Sequence, residues 1–246
     1  MYTQFSEVYD RFMDNIDYEK WTEFIEKIWE KYGAKPKLVL DLACGTGNFT
    51  IPLAQKGYDM IGVDSSAEML AIAKDKAGAD SSILYLCQDM REFELYGTVD
   101  ACICMVDGLN YLLEEEALLQ VFRLAKNYLN PGGLFIFDMN TIYKFKEVMG
   151  ENRFCDIDEN AAIIWENYYD ENEGINEYYL TVFAENRENA QYNRHEETHY
   201  QKGYSKEKVT EIINEAGLEI LDIYGTAEFG KYSETCEKMF FVLRKN

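Results

Sequence analysis

The stretch from Leu38 to Thr50 most constrains the fold, because an apolar run there gives way within a few residues to a small-residue turn. The run contains the acid Asp41, and the turn carries two glycines, Gly45 and Gly47. Glycine lacks a Cβ, so it adopts positive φ easily and lets a ligand approach the backbone. Helix-compatible sequence follows, whose first free N–H groups would point into the turn. The stretch therefore predicts a strand, a tight turn and a helix that together hold a polar or anionic ligand group.

The glycine spacing separates two classes of cofactor. A dinucleotide-binding turn reads G-x-G-x-x-G, but here the third position is Thr50, which disfavours a bound pyrophosphate. With Asp41 four residues before Gly45, the segment resembles motif I of the class I S-adenosylmethionine-dependent methyltransferases, D-x-x-x-G-x-G. The resemblance implies that Gly45 and Gly47 lie against the methionine and ribose of the cofactor. It also implies that Asp41 faces the cofactor's ammonium group.

A second acid, Asp64, follows the next apolar run and lies 19 residues beyond Gly45. In a β-α-β unit this separation places a carboxylate at the end of the adjacent strand, where it can accept both ribose hydroxyls. Capping of the next helix is the other interpretation, although Ser65 and Ser66 can cap as well. We predict that Asp64 binds ribose.

Two further strand ends carry candidate site residues. After the third predicted strand, the resemblance implies that Asp89 accepts the adenine amino group and that the Met90 N–H meets a ring nitrogen, with Met69 against the adenine. The fourth strand ends at Val106 and Asp107, which lie at the family's motif IV beside the transferable methyl group. Asp107 is therefore a candidate to hold substrate or to act in catalysis, with helix capping as the alternative.

Strands alternate with helices through most of the chain, which predicts an α/β fold with a doubly wound, mostly parallel seven-stranded sheet. In such sheets ligands bind beyond the carboxyl ends of the strands. Residues 1–150 and 205–246 are assigned to this Rossmann-like methyltransferase core, and residues 1–36 form a helical cap on it. Residues 151–204 instead alternate in an antiparallel pattern and are predicted to form a β lid inserted over the cofactor.

The predicted lid holds 13 acidic and four basic residues, a field that would favour cationic or amine substrates. A merely soluble surface is an equally good interpretation of this charge. His195, Glu197 and His199 alternate along one of its strands and share a face. Three residues on one strand seldom converge on one ion, so no metal site is predicted. Residues 199–204 resemble the H-x-Q-[RK]-x-Y lid segment of YqeM-like methyltransferases, which implies that His199 and Tyr204 face substrate. Histidine changes charge near neutral pH, so His199 is the candidate general base.

The N-terminal segment from Tyr2 to Trp21 also resembles that YqeM-type subgroup of bacterial methyltransferases, in which the segment folds over the methionine end of the cofactor. The resemblance makes Tyr9 and Trp21 candidate cofactor contacts. Both residues fit equally well as core aromatics.

The net charge of the chain makes some classes of binding partner unlikely. The 246 residues include 45 acids against 24 Lys and Arg, a formal charge of −21, and such a surface repels the phosphates that nucleic-acid binders must neutralise. No apolar run approaches the roughly 18 residues that span a bilayer, and the first residues lack the pattern of a secretory signal. Six cysteines without C-x-x-C spacing predict reduced thiols. We expect a cytoplasmic protein that acts on a small molecule.

The sequence thus predicts an S-adenosylmethionine-dependent methyltransferase that acts by in-line displacement on a small amine or hydroxyl acceptor and releases S-adenosylhomocysteine. The alternatives are an NAD-dependent dehydrogenase and a non-catalytic sensor or assembly factor that binds the same cofactor. The predicted cofactor contacts are Tyr9, Trp21, Asp41, Ala43, Gly45, Thr46, Gly47, Asp64, Ser65, Met69, Asp89, Met90 and Val106. The predicted substrate contacts are Asp107, Tyr111, Trp165, His199 and Tyr204.

Overall fold

The computed structural model describes residues 6–13, 16–186 and 191–246. The α-helices are α1 Ser6–Phe12, α2 Tyr18–Lys31, α3 Thr50–Gln55, α4 Ala67–Ala77, α5 Glu115–Tyr128 and α6 Lys206–Ala216. A 3₁₀ turn covers Gly108–Tyr111 and a π-helix covers Lys144–Met149. Within these described ranges, no helix is both long and apolar enough to cross a membrane.

Seven strands form the central sheet, in the order β10-β11-β5-β4-β1-β2-β3. Their bounds are β1 Leu38–Leu42, β2 Asp59–Asp64, β3 Leu84–Cys87, β4 Val99–Cys104, β5 Leu129–Asn140, β10 Glu219–Tyr224 and β11 Lys238–Arg244. β1 to β5 pair in parallel, whereas β11 runs antiparallel to both β5 and β10. The predicted fold class is therefore confirmed. Strand order reverses between β1 and β4, where a sheet of this kind opens a crevice for ligands.

Hydrophobic side chains cover both faces of this sheet. Neighbouring residues of one strand point to opposite faces, so Val39 packs in the cluster formed with α2 and α3, while Leu40 packs with α5 and α6. The buried positions of α2 lie along one side of the helix, among them Phe24, Ile28 and Trp29. Because both faces are covered, the ends of the strands hold the polar residues that meet solvent or ligand.

A second, antiparallel sheet of four strands lies within residues 151–204. Its strands are β6 Arg153–Ile157, β7 Ala161–Asp170, β8 Ile175–Asn186 and β9 Gln191–Lys202. The sequence predicts only the last three strands, because every residue of β6 is exposed and the strand shows no alternation of buried and exposed side chains. The role of this sheet as a lid stays a prediction.

Candidate functional site

One cavity of about 1020 Å³ lies between the carboxyl ends of β1 to β5 and the inner face of the second sheet. All but three of the sequence-predicted site residues line it, and the exceptions are Trp21, Gly47 and Tyr204. The residues that the structure brings together are Tyr9, Asp41, Ala43, Gly45, Thr46, Asp64, Ser65, Met69, Asp89, Met90, Val106, Asp107, Tyr111, Trp165 and His199. The role of each residue remains a prediction, but the structure places all of them around one cavity.

The turn after β1 shows why each glycine is present. Gly45 has φ of +54°, and a Cβ built on it meets nothing within 4 Å, so its backbone is open to a ligand. Gly47 has φ of +80°, but its Cβ would lie 2.9 Å from the Tyr85 hydroxyl and 3.2 Å from Ile51. Gly47 does not line the cavity and serves close packing inside the protein, while its predicted contact with the cofactor stays a prediction.

Asp64 joins the end of β2 to this turn. One carboxylate oxygen accepts the Gly45 N–H at 2.8 Å, and the other accepts the Ser66 N–H at 2.8 Å. The cap of α4 is Ser66, whose hydroxyl accepts the Met69 N–H at 3.2 Å. Burial raises the pKa of Asp64, while these backbone donors counter the rise. Each oxygen keeps a second lone pair, so the carboxylate can accept two ligand hydroxyls without breaking its bonds to the turn.

Asp41 is only 2% exposed, and one of its carboxyl oxygens accepts a hydrogen bond from the Thr50 hydroxyl at 2.6 Å. Burial raises the pKa of Asp41 to about 7, against a smaller opposing effect of that hydrogen bond. Thr50 stands at the position where a dinucleotide-binding turn has glycine, and its hydroxyl binds the Asp41 carboxyl group. A cation placed in the cavity beside Asp41 would favour its ionised form.

Because Asp41 titrates near neutral pH, cofactor affinity is expected to depend on pH. An ammonium group that contacts Asp41 lowers its pKa, so binding below about pH 7 must first remove a proton, which weakens binding by at most about tenfold per pH unit. Affinity should therefore fall as pH drops from about 7 and level off above it. Calorimetry with S-adenosylhomocysteine across this range checks the slope in the natural protein and in Asp41→Asn. Equal slopes in the two proteins would contradict the assignment of Asp41.

At the predicted adenine end, Asp89 already has a partner that the sequence analysis did not identify. Arg91 binds its carboxylate through Nε at 2.9 Å and Nη2 at 2.5 Å, and this pair lies at the exposed rim of the cavity. The Arg91 guanidinium lowers the pKa of Asp89. Met69 is buried beneath this end and lines the cavity together with Met90. The carboxylate of Asp89 has lone pairs left to accept a hydrogen bond from a ligand amino group. Its binding of the adenine amino group stays a prediction.

The turn after β4 is strained. Val106 and Asp107 both have positive φ, +62° and +51°, which is costly for non-glycine residues and most of all for a β-branched one. The carboxylate of Asp138, at the end of β5, accepts the Val106 N–H at 2.5 Å and the Asp107 N–H at 3.2 Å. Asp138 therefore fixes the backbone that presents Asp107 to the cavity.

Lys238, the first residue of β11, joins these two acids. Its ammonium lies 2.8 Å from Asp107 and 2.7 Å from Asp138. Burial alone would raise the pKa of Asp107, but the ammonium groups of Lys238 and Lys144, with the hydrogen bond from Gln201, outweigh it and the pKa is lowered. The Gln201 amide donates to Asp107 at 2.7 Å and accepts from the Tyr178 hydroxyl at 2.5 Å. Sequence reasoning missed Asp138, Lys238 and Gln201 as parts of the site.

His199 lies on the inner face of the second sheet and is 1% exposed. Its Nδ1 is 3.5 Å from the Tyr111 hydroxyl, and its Nε2 is 3.3 Å from a carboxylate oxygen of Glu197. Tyr111 and His199 both line the cavity, next to Trp165. The structure thus places an imidazole between a cavity-facing hydroxyl and a carboxylate, an arrangement that can take up a proton and stabilise the resulting charge.

The other two predicted site residues that do not line the large cavity, Trp21 and Tyr204, pack within the protein. Trp21 packs edge-to-face against Phe240, with ring centroids 5.0 Å apart, and lines a separate, smaller cavity of about 360 Å³. Tyr204 is 3% exposed, and its hydroxyl donates to the Leu112 carbonyl at 2.6 Å. Aromatic residues near a predicted site resemble core aromatics in sequence, and here both belong to the protein's packing rather than to the large cavity.

The structural role of Tyr204 can be tested by Tyr204→Phe. The variant leaves the buried Leu112 carbonyl without its donor, which costs about 1–3 kcal/mol of unfolding free energy, a fall of about 2–12 °C in melting temperature. Cofactor affinity should stay within about twofold. A variant that keeps its stability but loses activity would show that Tyr204 contacts substrate after all.

The chain is similar to known proteins over its whole length. A family model described as "Methyltransferase domain" matches residues 39–133. YqeM of Bacillus subtilis (strain 168), which is named as a methyltransferase, is 34% identical over 100% of this chain and 98% of its own. A crystal structure of an S-adenosylmethionine-dependent methyltransferase from Clostridium acetobutylicum ATCC 824 has a TM-score of 0.89 at 30% identity, covering 99% of this chain and 98% of that one. The glycine/sarcosine N-methyltransferase of Halorhodospira halochloris is 32% identical over 52% of this chain and 50% of its own.

Proposed function

Because the chain belongs to the family of S-adenosylmethionine-dependent methyltransferases that includes YqeM, we propose that it methylates the nitrogen of a small amine. The open backbone at Gly45, the lone pairs left on Asp64 and the carboxyl of Asp41 fit the ribose and ammonium groups of the cofactor. S-adenosylmethionine supplies a methyl group that its sulfonium charge has already activated. The residues of the chain then have to align the acceptor and take up its proton.

The Tyr111–His199–Glu197 arrangement carries this proposal. An amine that is protonated in water has to lose a proton before its nitrogen can attack, and imidazole is the side chain best suited to accept it near neutral pH. Nδ1 of His199 faces the Tyr111 hydroxyl and Nε2 faces Glu197. The proton would pass from the amine through the Tyr111 hydroxyl to His199, whose positive charge Glu197 then stabilises.

Alignment is the other contribution of the site. The acceptor lies among Trp165, Tyr111 and Asp107, in the part of the cavity that the second sheet covers. Holding the nitrogen in line with the departing sulfur can lower the barrier by roughly 7–11 kcal/mol. The acidic surface of the second sheet and the similarity of half the chain to a glycine/sarcosine N-methyltransferase both favour an amine over a hydroxyl acceptor.

The experiment is a screen of small amines for methyl transfer, read by mass spectrometry of the methylated product and by formation of S-adenosylhomocysteine. On an accepted amine, His199→Ala should lower kcat by about 10²–10⁴-fold, and Tyr111→Phe should also lower it. The chain has only two histidines, so His195→Ala on the same strand is the matched control and should stay within twofold. Unchanged turnover in His199→Ala would remove the proposed base.

Thermal unfolding with added ligand tests the alternatives. S-adenosylmethionine and S-adenosylhomocysteine at about a hundredfold excess over Kd should each stabilise the protein by roughly 2.7 kcal/mol. NAD should give no shift, which distinguishes a methyltransferase from a dehydrogenase. Binding of both adenosyl compounds without methylation of any amine or alcohol would instead support a non-catalytic sensor.

A further inference from the structure

Lys144 places a positive charge in the acceptor part of the cavity. It is the first residue of the π-helix that follows β5, and it lines both the large cavity and the smaller one of about 360 Å³ beside it. Its ammonium donates to the Asn140 side-chain oxygen at 3.0 Å. In a chain with a formal charge of −21, a lysine that faces into the cavity rather than into solvent needs a physical reason.

The carboxylates around Lys144 favour its charged form from a distance, but none of those in the described residues forms an ion-pair contact with it. Asp107 and Asp138 are each bonded to Lys238, and Glu237 lies near enough to influence Lys144 without an ion-pair contact. Among the described residues, no carboxylate oxygen comes within 4.0 Å of the Lys144 ammonium. Burial and the neighbouring Lys238 both lower the pKa of Lys144. An ammonium has three donors, of which Asn140 takes one, so a ligand anion can take the others.

Sheet order places Lys144 on the acceptor side of the cavity. The glycine turn and Asp41 belong to β1, whereas Lys144 follows β5, and β4 lies between these two strands. Strands are spaced about 4.8 Å apart, so the end of β5 lies about 10 Å from the end of β1. Asp107, which follows β4, is the nearest site residue to Lys144 in this order, and its charge acts on Lys144. An anion bound here would therefore belong to the acceptor rather than to the cofactor.

We propose that the methyl acceptor carries a carboxylate, which the Lys144 ammonium binds while the amine nitrogen lies toward Tyr111. The acceptor is then an amino acid or a similar zwitterion, and the smaller cavity beside Lys144 leaves room for the part of the molecule beyond the carboxylate. This inference rests on the proposed function for the identity of the reacting nitrogen. The binding of the carboxylate itself can be measured without any reaction.

The test compares carboxylates with their amides, which keep the size and lose the negative charge. Glycine, β-alanine and 4-aminobutyrate, each beside its amide, are titrated by calorimetry into the protein loaded with S-adenosylhomocysteine. At least one carboxylate should bind tenfold or more tightly than its amide. Lys144→Met should remove that preference, and Lys144→Arg should keep it. Lys146→Met is the matched control, since Lys146 lies two residues away, is exposed and pairs with Glu171.

Three other results would overturn the inference, and a fourth would overturn only the proposed function. Equal binding of every carboxylate and its amide, or no binding of any carboxylate, would show that Lys144 holds no acceptor anion. A tenfold loss of S-adenosylhomocysteine affinity in Lys144→Met, in the absence of amine, would assign the residue to the cofactor's own carboxylate. Tight carboxylate binding without methyl transfer would leave the Lys144 site standing and contradict the proposed function alone.

Discussion

Replacing Asp64 by Ala is expected to abolish measurable cofactor binding while the protein stays folded. The variant loses a charged acceptor for the two ribose hydroxyls, each bond contributing about 1.5–3 kcal/mol, so Kd should rise by roughly 10²–10⁴-fold. It also frees the Gly45 and Ser66 N–H groups that Asp64 now binds at 2.8 Å. The turn that faces the cofactor would then be less firmly held, which adds to the loss.

Asp59→Ala is the matched control for this result, because Asp59 is the exposed first residue of the same strand, at the end remote from the cavity. Calorimetry with S-adenosylhomocysteine should give the natural affinity for that control. Circular dichroism should show the natural fold for both variants. Retention of natural affinity in Asp64→Ala would contradict the ribose assignment.

The second large effect is expected from Lys238→Met. Removal of the ammonium leaves the buried carboxylate of Asp138 and the half-buried carboxylate of Asp107 next to each other without this counter-charge. Removing one partner from a buried ion cluster lowers the free energy of unfolding by about 3–5 kcal/mol. For a chain of this size, this lowers the melting temperature by about 6–20 °C. Because Asp138 also supports the strained backbone at Asp107, turnover should fall as well.

Lys27→Met provides the comparison, since Lys27 forms an exposed ion pair with Glu23 at 3.0 Å and is more than half exposed. Exposed pairs contribute only about 0–1 kcal/mol, so the control should melt within a few degrees of the natural protein. Urea unfolding of the two variants gives the free energies directly. A loss in Lys238→Met no larger than in Lys27→Met would show that the acids do not depend on the lysine.

Sequence reasoning brought together four of the acids that line the cavity because one physical rule covers them. The carboxyl ends of parallel strands meet at one edge of a sheet, so Asp41, Asp64, Asp89 and Asp107 could be placed together without a structure. All four line the cavity. The same rule applies to Asp138, two residues before the end of β5, but its carboxylate binds the backbone of a neighbouring turn and the Lys238 ammonium.

The partners of Asp107 were harder to predict because they depend on pairing between distant strands. Lys238 begins an antiparallel strand, and only the register that pairs it with Asn140 brings its ammonium to Asp107. Neither periodicity nor composition specifies that register. Gln201 shares the inward face of β9 with His199, but strand alternation alone cannot say which inward side chain reaches Asp107.

Gly47, Trp21 and Tyr204 do not line the cavity, and sequence reasoning could not foresee this for one common physical reason. A glycine with positive φ and a buried aromatic residue each have two uses, contact with a ligand and close packing within the protein. The choice depends on neighbours such as Tyr85 and Phe240 that are remote in sequence. Residue type and spacing are the same whether such a residue contacts a ligand or packs within the protein, so they do not distinguish the two uses.

A crystal structure of the protein with S-adenosylhomocysteine bound tests the central claim most directly. The ribose hydroxyls should bind Asp64, the adenine should lie at Asp89 and Met90, and the sulfur should point toward the space between Asp107 and Tyr111. That position would set the reacting methyl group beside the proposed amine site. A sulfur that faces away from Asp107 and Tyr111, or an adenine bound elsewhere in the cavity, would contradict the assignment of both ends of the site.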